Sequence, residues 1–134
     1  MHFELVLPDR FNAADHFVDR NVREGRGDKV AVRCGDNDFT YRDIQSGVNR
    51  FGNSLEHLGV RMEERVALLL LDTEVFPMAF FGSIKYGAIP ICLNTLMKPH
   101  DYEYFLNDSR ARVLVVDERL LPVIEPIRQN LEFL

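Results

Sequence analysis

Apolar positions mark a helix most clearly after residue 40. Ile44, Val48, Phe51, Leu55 and Leu58 follow at spacings of 4, 3, 4 and 3, which puts all five on one face of an α-helix. Thr40-Tyr41-Arg42-Asp43 opens it with a capping box, in which the Thr40 hydroxyl receives a backbone N–H and the Asp43 carboxylate reaches back. Gly59 is a natural residue to end it. Upstream, residues 11–24 predict a helix: Phe11 precedes Asn12 as N-cap, Phe17, Val18 and Val22 form the apolar side, and Gly25 and Gly27 stop it. That G-x-G has no preceding strand and no third glycine, so it reads as a helix stop and not a dinucleotide loop. Residues 29–41 predict a hairpin, with Val30 and Val32 alternating with Ala31 and Arg33, a turn at Gly35-Asp36-Asn37-Asp38, and a return through Phe39-Thr40-Tyr41.

Beyond residue 60 the period changes. Arg65–Leu71 is apolar without alternation, the mark of a strand covered on both faces. Asp72-Thr73 offers caps for a helix running to Tyr86, with Pro77 tolerable in its first turn and Gly87 ending it. Ala88–Leu93 predicts a second buried strand, 94–99 a loop, and Pro99 the start of a short helix through Asn107. Arg112–Val116 predicts a third strand, after which Asp117 caps a helix carrying Leu120, Leu121, Ile124 and Ile127. Crossovers of this length join parallel strands in a right-handed sense. The expected class is α/β: an N-terminal helix, hairpin and helix over 11–64, then a parallel three-stranded βαβαβα unit over 65–134. A lone parallel sheet of that size leaves edges and faces open. With the apolar Phe133 and Leu134 at its end, the chain is expected to be part of a larger N-terminal domain.

Composition narrows the class. The 134 residues suit one domain, and 46% hydrophobic with 28% charged residues is ordinary for a globular protein. Net charge is -5, and Arg20, Arg23, Arg26 and Lys29 are interleaved with Asp19, Glu24 and Asp28, so no nucleic-acid footprint forms. The same acidity disfavours an anionic lipid surface. Residues 1–8 lack the basic and long apolar regions of a secretory signal, and Val66–Leu71 falls far short of the ~20 residues that cross a bilayer. The two cysteines, Cys34 and Cys92, form no C-x-x-C pair; Cys92 reads as a small core residue, and a cytoplasmic location is expected.

Chemistry-bearing signals are sparse. There is no G-x-x-x-x-G-K-[ST], H-E-x-x-H or G-x-S-x-G, and no Ser/Thr/Gly-rich loop followed by Lys that would cradle a triphosphate. His16 and Asp19 share a helical turn but read as a solvated pair, because two ligands do not make a metal site. His57 suits a helix C-terminus, His100 a surface loop, and His2 adds nothing. Tyr102, Tyr104 and Phe105 read as core packing. Open parallel sheets bind ligands beyond the carboxyl ends of their strands, here Asp72-Thr73, Asn94-Thr95 and Asp117-Glu118. Simple helix capping is the default role for each pair. Lys98, just after the second strand, is the cation best placed to touch a phosphate, against the default of a solvated lysine.

The order of segments resembles the adenylate-forming enzymes of the acyl-CoA synthetase superfamily. Phe39-Thr40-Tyr41-Arg42-Asp43-Ile44 is similar to their [LF]-T-Y-x-[ED]-L motif, and Ile84-Lys85-Tyr86-Gly87-Ala88-Ile89-Pro90 to L-K-A-G-x-x-x-P. Leu58-Gly59-Val60 and 65–69 lie between them as usual. Segments 11–20, 69–80, 94–97 and 108–112 resemble the benzoate-CoA ligase branch. Tyr86 departs from the family's common Ala. The resemblance implies a parent enzyme, an AMP-forming acid–thiol ligase of aromatic acid catabolism, that uses ATP and Mg²⁺ to make an acyl-adenylate and then coenzyme A to make the thioester. It implies that the phosphate loop, adenine segment, ribose-binding Asp and catalytic Lys lie beyond residue 134. This chain would then carry no catalytic or metal-binding residue, would hold no cofactor alone, and would be inactive alone. Lys98, Asn94 and Thr95 lie near the loop that approaches coenzyme A in some relatives. The partners implied are the remaining polypeptide and a small aromatic carboxylic acid, with no nucleic acid and no membrane; a homo-oligomer stays open. A fatty-acyl, carnitine-type or peptide-synthetase relative, and a stand-alone α/β binding domain, are the alternative readings.

Overall fold

The computed structural model describes residues 8–134; the expectations for the first seven residues and for His2 lie outside them. Asn12 opens the first helical segment, its Oδ1 accepting the N–H groups of Ala14 and Asp15 at 3.0 and 3.3 Å. The segment runs over 13–26 and contains two π-helical turns, Asp15–Asp19 and Val22–Arg26. Wide turns carry side chains around at a different rate from 3.6-residue turns, and this corrects the expected face. Val18 is buried, but Phe17 is 55% exposed. Gly25 reverses the chain at φ +82°.

The hairpin comprises β1 (Val30–Cys34) and β2 (Asn37–Thr40), paired antiparallel. Its turn is tighter than expected: Asn37 pairs with Cys34 and Asp38 with Arg33, so both belong to the strand. α1 (Tyr41–His57) follows without a break. Its capping box is complete, with Thr40 Oγ1 accepting from the Asp43 N–H at 3.2 Å and Asp43 Oδ2 accepting from the Thr40 N–H at 2.8 Å. Thr40→Ala is expected to lower stability by about 1 kcal/mol, seen as a lower urea midpoint with an unchanged slope. The Thr40 hydroxyl and N–H hold the Asp43 carboxyl below the usual carboxylate range. A folded-state pKa below the unfolded one contributes stability that is present above the ordinary carboxylate pKa and lost as pH falls through the folded value. The difference between wild type and Thr40→Ala should therefore shrink on acidification; a difference constant with pH would rule out this coupling.

Ile44, Val48 and Leu55 of the expected stripe are buried and Phe51 is half-buried, but Leu58 is 65% exposed. The helix ends first. Gly59 turns left-handed at φ +72°, its N–H reaching the Glu56 carbonyl, and the Val60 N–H reaches the Leu55 carbonyl at 3.0 Å. This Schellman closure places Val60 against Leu55, and Val60 takes the buried position.

The larger sheet is parallel with order β4-β3-β5, from β3 (Arg65–Leu69), β4 (Ile89–Cys92) and β5 (Val113–Val116). β3 is covered on both faces, as its apolar run requires. Val66, Leu68 and Leu70 pack with Leu55, Val60 and Ala79 of α1, its closing turn and α2 (Val75–Tyr86). Ala67 and Leu69 pack on the other face with Tyr102 and Leu106 of α3 (Pro99–Asp108) and with Ile124 and Ile127. A further cluster, Val18, Ile44 and Val48, seats the first segment and hairpin on α1.

Several local expectations are corrected. Neither Asp72 nor Thr73 caps α2 through its side chain; the N-cap is Glu74, and the Thr73 carbonyl accepts the Phe76 N–H. β4 is an edge strand, so Ile89 and Cys92 are exposed. The helix after β5 is broken by Pro122 and Pro126 into 3-10 turns, Glu118–Leu120 and Glu125–Asn130, around the short α4 (Leu121–Ile124), and Leu121 is exposed. Among the described residues no helix is long and apolar enough to cross a membrane.

Candidate functional site

The two motifs that carry the family resemblance meet through their helices. α1 and α2 pack side by side, and Lys85 Nζ lies 2.7 Å from Asp19 Oδ2 and 2.7 Å from Asn49 Oδ1. Asp19 is only 7% exposed and also accepts from Gln45 Nε2 at 2.8 Å. The expected solvated His16–Asp19 pair is thus corrected: Asp19 is a buried ion-pair partner, while His16 sits between the rings of Phe11 and Phe17. Asn12 Nδ2 donates to the Ile84 carbonyl at 3.0 Å, adding a second tie to the same end of α2. Tyr86 has a use that an Ala would lack, because its hydroxyl donates to the Val60 carbonyl at 2.6 Å and locks the turn after α1.

At the carboxyl ends of the strands, α2 leaves β3 toward one face of the sheet and the segment after β5 leaves toward the other. Diverging connections open a crevice between adjacent strand ends. A cleft of about 650 Å³ lies there, with Leu70, Val115 and Val116 below and Thr73, Glu74, Asp117, Glu118 and Arg119 around it. Asp117 Oδ1 accepts the Arg119 N–H at 3.0 Å, and the two side chains form a fork at 2.9 and 2.9 Å. Hydrogen bonding from the Arg119 side chain, then from its N–H, holds the Asp117 carboxyl below its ordinary range. A carboxylate committed in this way is a cap and an ion-pair partner, not a free base. Arg119 is thus a second cation at these strand ends, in addition to Lys98, and its place directly after Asp117-Glu118 is the sequence signal for it.

The 94–98 loop lies at the end of β4, across β3 from this cleft. Asn94 Oδ1 accepts the Leu96 N–H at 2.9 Å, and the buried Tyr102 donates its hydroxyl to the Asn94 carbonyl at 2.8 Å and accepts the Met97 N–H at 3.3 Å. Only Tyr102 of the three ring residues is fully buried. Tyr104 and Phe105 are exposed, because on a helix Tyr102 shares its face with Leu106. Lys98 is exposed at the N-cap of α3, where Asp101 Oδ2 accepts its N–H at 3.0 Å. Thr95 is half-buried and Asn94 exposed. The cleft lining includes none of Asn94, Thr95 and Lys98. His100 stands in the first turn of α3 rather than on a loop, and His57 Nδ1 bonds the Asn53 carbonyl at the end of α1.

Cys92 is exposed, not a core residue, and partial burial of its sulfur pushes the thiol pKa up. A raised pKa is the reverse of what a nucleophilic thiolate needs. Among the described residues no group of three or more His, Cys, Asp or Glu side chains converges on a point that would hold a metal ion.

The family model for AMP-binding enzymes matches residues 18–133. The chain is 44% identical over 124 residues to the 4-hydroxybenzoate–CoA/benzoate–CoA ligase of Rhodopseudomonas palustris, covering 92% of this chain and 23% of that protein. It is 43% identical over 124 residues to the benzoate–CoA ligase of Thauera aromatica, covering 92% of this chain and 24% of that protein. The crystal structure of an anthranilate CoA ligase in complex with anthranoyl-AMP superposes with a TM-score of 0.91 at 46% identity, over 96% of this chain and 24% of that one. The chain thus spans about a quarter of the length of these relatives. With the match running through both helix motifs and all three parallel strands, this chain belongs to the family of AMP-binding, adenylate-forming enzymes.

Proposed function

We propose that this chain is an N-terminal subdomain of an ATP-dependent aryl-CoA ligase acting on a small aromatic carboxylic acid such as benzoate, in the cytoplasm. The supporting observation is the 44% and 43% identity to two aryl-acid ligases across 92% of the chain. In such an enzyme the substrate carboxylate attacks the α-phosphorus of ATP and pyrophosphate leaves. The coenzyme A thiolate then attacks the acyl carbon and AMP leaves. Both steps need donors and cations aimed at developing phosphoryl and oxyanion charge. Among the described residues no group of three or more His, Cys, Asp or Glu side chains converges to cage a metal ion; Mg²⁺ in such enzymes would be held mainly by the ATP phosphates with one or two carboxylates.

The role of this chain is to support. Its sheet and the α1–α2 pair form a rigid platform, and the 134 residues alone are expected to release no pyrophosphate with benzoate and ATP. The substrate class is tested on the continuous polypeptide with a panel of benzoate, hydroxybenzoates, anthranilate and long-chain fatty acids. The aryl acids should give the higher kcat/KM, and a preference for fatty acids would replace the aryl reading with the fatty-acyl one. A reading frame lacking a Ser/Thr/Gly-rich loop followed by Lys beyond Leu134 would favour a stand-alone binding domain.

Lys98, Asn94 and Thr95 are proposed to lie near the coenzyme A phosphates. An exposed cation–phosphate contact is worth roughly 0.2–1 kcal/mol. Lys98→Ala is therefore expected to raise KM for coenzyme A about two- to fivefold, with KM for ATP and the aryl acid unchanged. An unchanged KM for coenzyme A would return Lys98 to the solvated surface.

A further inference from the structure

The loop after β4 is shaped from beneath by one side chain. Tyr102 is 0% exposed, its ring set in the core with Ala67, Leu69, Leu93 and Leu106. Its hydroxyl leaves that core and enters the 94–98 loop, donating to the Asn94 carbonyl at 2.8 Å and accepting the Met97 N–H at 3.3 Å. These are the two backbone groups whose approach closes the turn at 95–96. One buried oxygen therefore clamps the mouth of the turn and fastens it to the core.

Burial does not fix the outward residues of this loop. Asn94, Leu96 and Lys98 are exposed, Leu96 at 89%. The other fastenings are local: Asn94 Oδ1 accepts the Leu96 N–H at 2.9 Å, and Asp101 Oδ2 accepts the Lys98 N–H at 3.0 Å. The Tyr102 hydroxyl alone ties both sides of the turn to a side chain that cannot move. Without it the Asn94 carbonyl and the Met97 N–H would face a dry gap. Unpaired backbone groups are driven toward water, and the exposed outer side gives the loop room to open.

We propose that Tyr102 is a positioning residue for coenzyme A: its hydroxyl holds the 94–98 loop in the shape that presents Lys98 and Thr95 to the coenzyme A phosphates. The proposal rests on the reading that this loop meets those phosphates. Tyr102 is buried and acts through the loop alone. A loop that holds the presenting shape for only a fraction of the time binds more weakly by that fraction. Because the whole turn moves, loss of the hydroxyl should weaken coenzyme A binding at least as much as loss of the Lys98 side chain.

Steady-state kinetics of Tyr102→Phe, Lys98→Ala and the double variant in the continuous polypeptide test it, together with amide hydrogen exchange. Tyr102→Phe should raise KM for coenzyme A about three- to tenfold, at least as much as Lys98→Ala, with kcat and the KM values for ATP and the aryl acid unchanged. Lys98→Ala should add less in the Tyr102→Phe background than in the parent. The Met97 amide of the parent should exchange at least about 10-fold slower than exposed loop amides, and Tyr102→Phe should remove that protection while Leu106 keeps its own. A raised KM for coenzyme A in Lys98→Ala but not in Tyr102→Phe would overturn the inference and leave the coenzyme A reading standing. An unchanged KM in all three variants would overturn both. Full additivity of the two substitutions, or a Tyr102→Phe loss shared by every substrate, would show that the hydroxyl serves the core and not the loop. An unprotected Met97 amide in the parent would overturn the clamp without any variant.

Discussion

Lys85→Met should lower the stability of this chain by about 2 kcal/mol. Asp19 is almost fully buried and Lys85 is its cation at 2.7 Å. Removing one partner of a fully buried pair costs roughly 3–5 kcal/mol because the remaining charge is stranded. The Lys85 side chain is 34% exposed, so water can reach the stranded carboxylate, and the smaller figure applies. The Gln45 bond to Asp19 survives the substitution and limits the loss further. Urea unfolding measures it. Asp19→Asn combined with Lys85→Met should recover part of the loss, because the stranded charge is gone. Equal losses from Lys85→Met alone and from the double variant would show that the pair is not coupled, and that Lys85 acts through its bond to Asn49 or its stem packing.

Gly82→Leu should be worse, costing about 3 kcal/mol or more, while Gly52→Ala should be neutral or stabilising by about 0.5–1 kcal/mol. Both glycines lie where α1 meets α2. A Cβ at Gly82 would stand 2.9 Å from Phe51 Cβ and 3.0 Å from the Val48 carbonyl oxygen, so backbone as well as side chain must move. A Cβ at Gly52 meets nothing nearer than 3.8 Å, an ordinary contact. A helix-interior glycine costs about 1 kcal/mol relative to alanine, which α1 recovers at Gly52 and α2 cannot recover at Gly82. Thermal unfolding should shift down for Gly82→Leu and stay level or rise for Gly52→Ala. A Gly82→Leu variant as stable as the parent would mean that α1 and α2 are less closely packed at position 82 than these contacts require.

These two sites also show what the sequence could disclose. The Thr40–Asp43 box, the Ile44-Val48-Leu55 face, Gly59 and the three parallel strands were legible, because each rests on local periodicity or a cap. Leu58 was not, because helix termination at Gly59 gave its buried place to Val60, and nothing at position 58 signals that. Phe17 was placed on a 3.6-residue helix that is wound in wider π turns. Cys92 sits in an apolar run whose strand falls at a sheet edge, and strand order is not encoded in the run itself. Arg110 closes α3 in the left-handed conformation at φ +53°, with the Ala111 N–H on the Leu106 carbonyl, a closure that glycine would have announced. By contrast Pro122 and Pro126 were visible signals for the broken helix after β5. The Asp19–Lys85 pair joins residues far apart in sequence and could only be seen once the N-terminal segment was docked. The cleft between β3 and β5 follows from strand order, so its position became clear only with the sheet; the capping role of Asp117 was legible, and its fork with Arg119 was not.

The acyl-adenylate half-reaction is the most direct test of the functional account. The continuous polypeptide, given ATP, Mg²⁺ and labelled pyrophosphate without coenzyme A, should return label to ATP only when an aryl acid such as benzoate is present. Exchange that is independent of any carboxylic acid, or none with any acid while the protein remains folded, would contradict it.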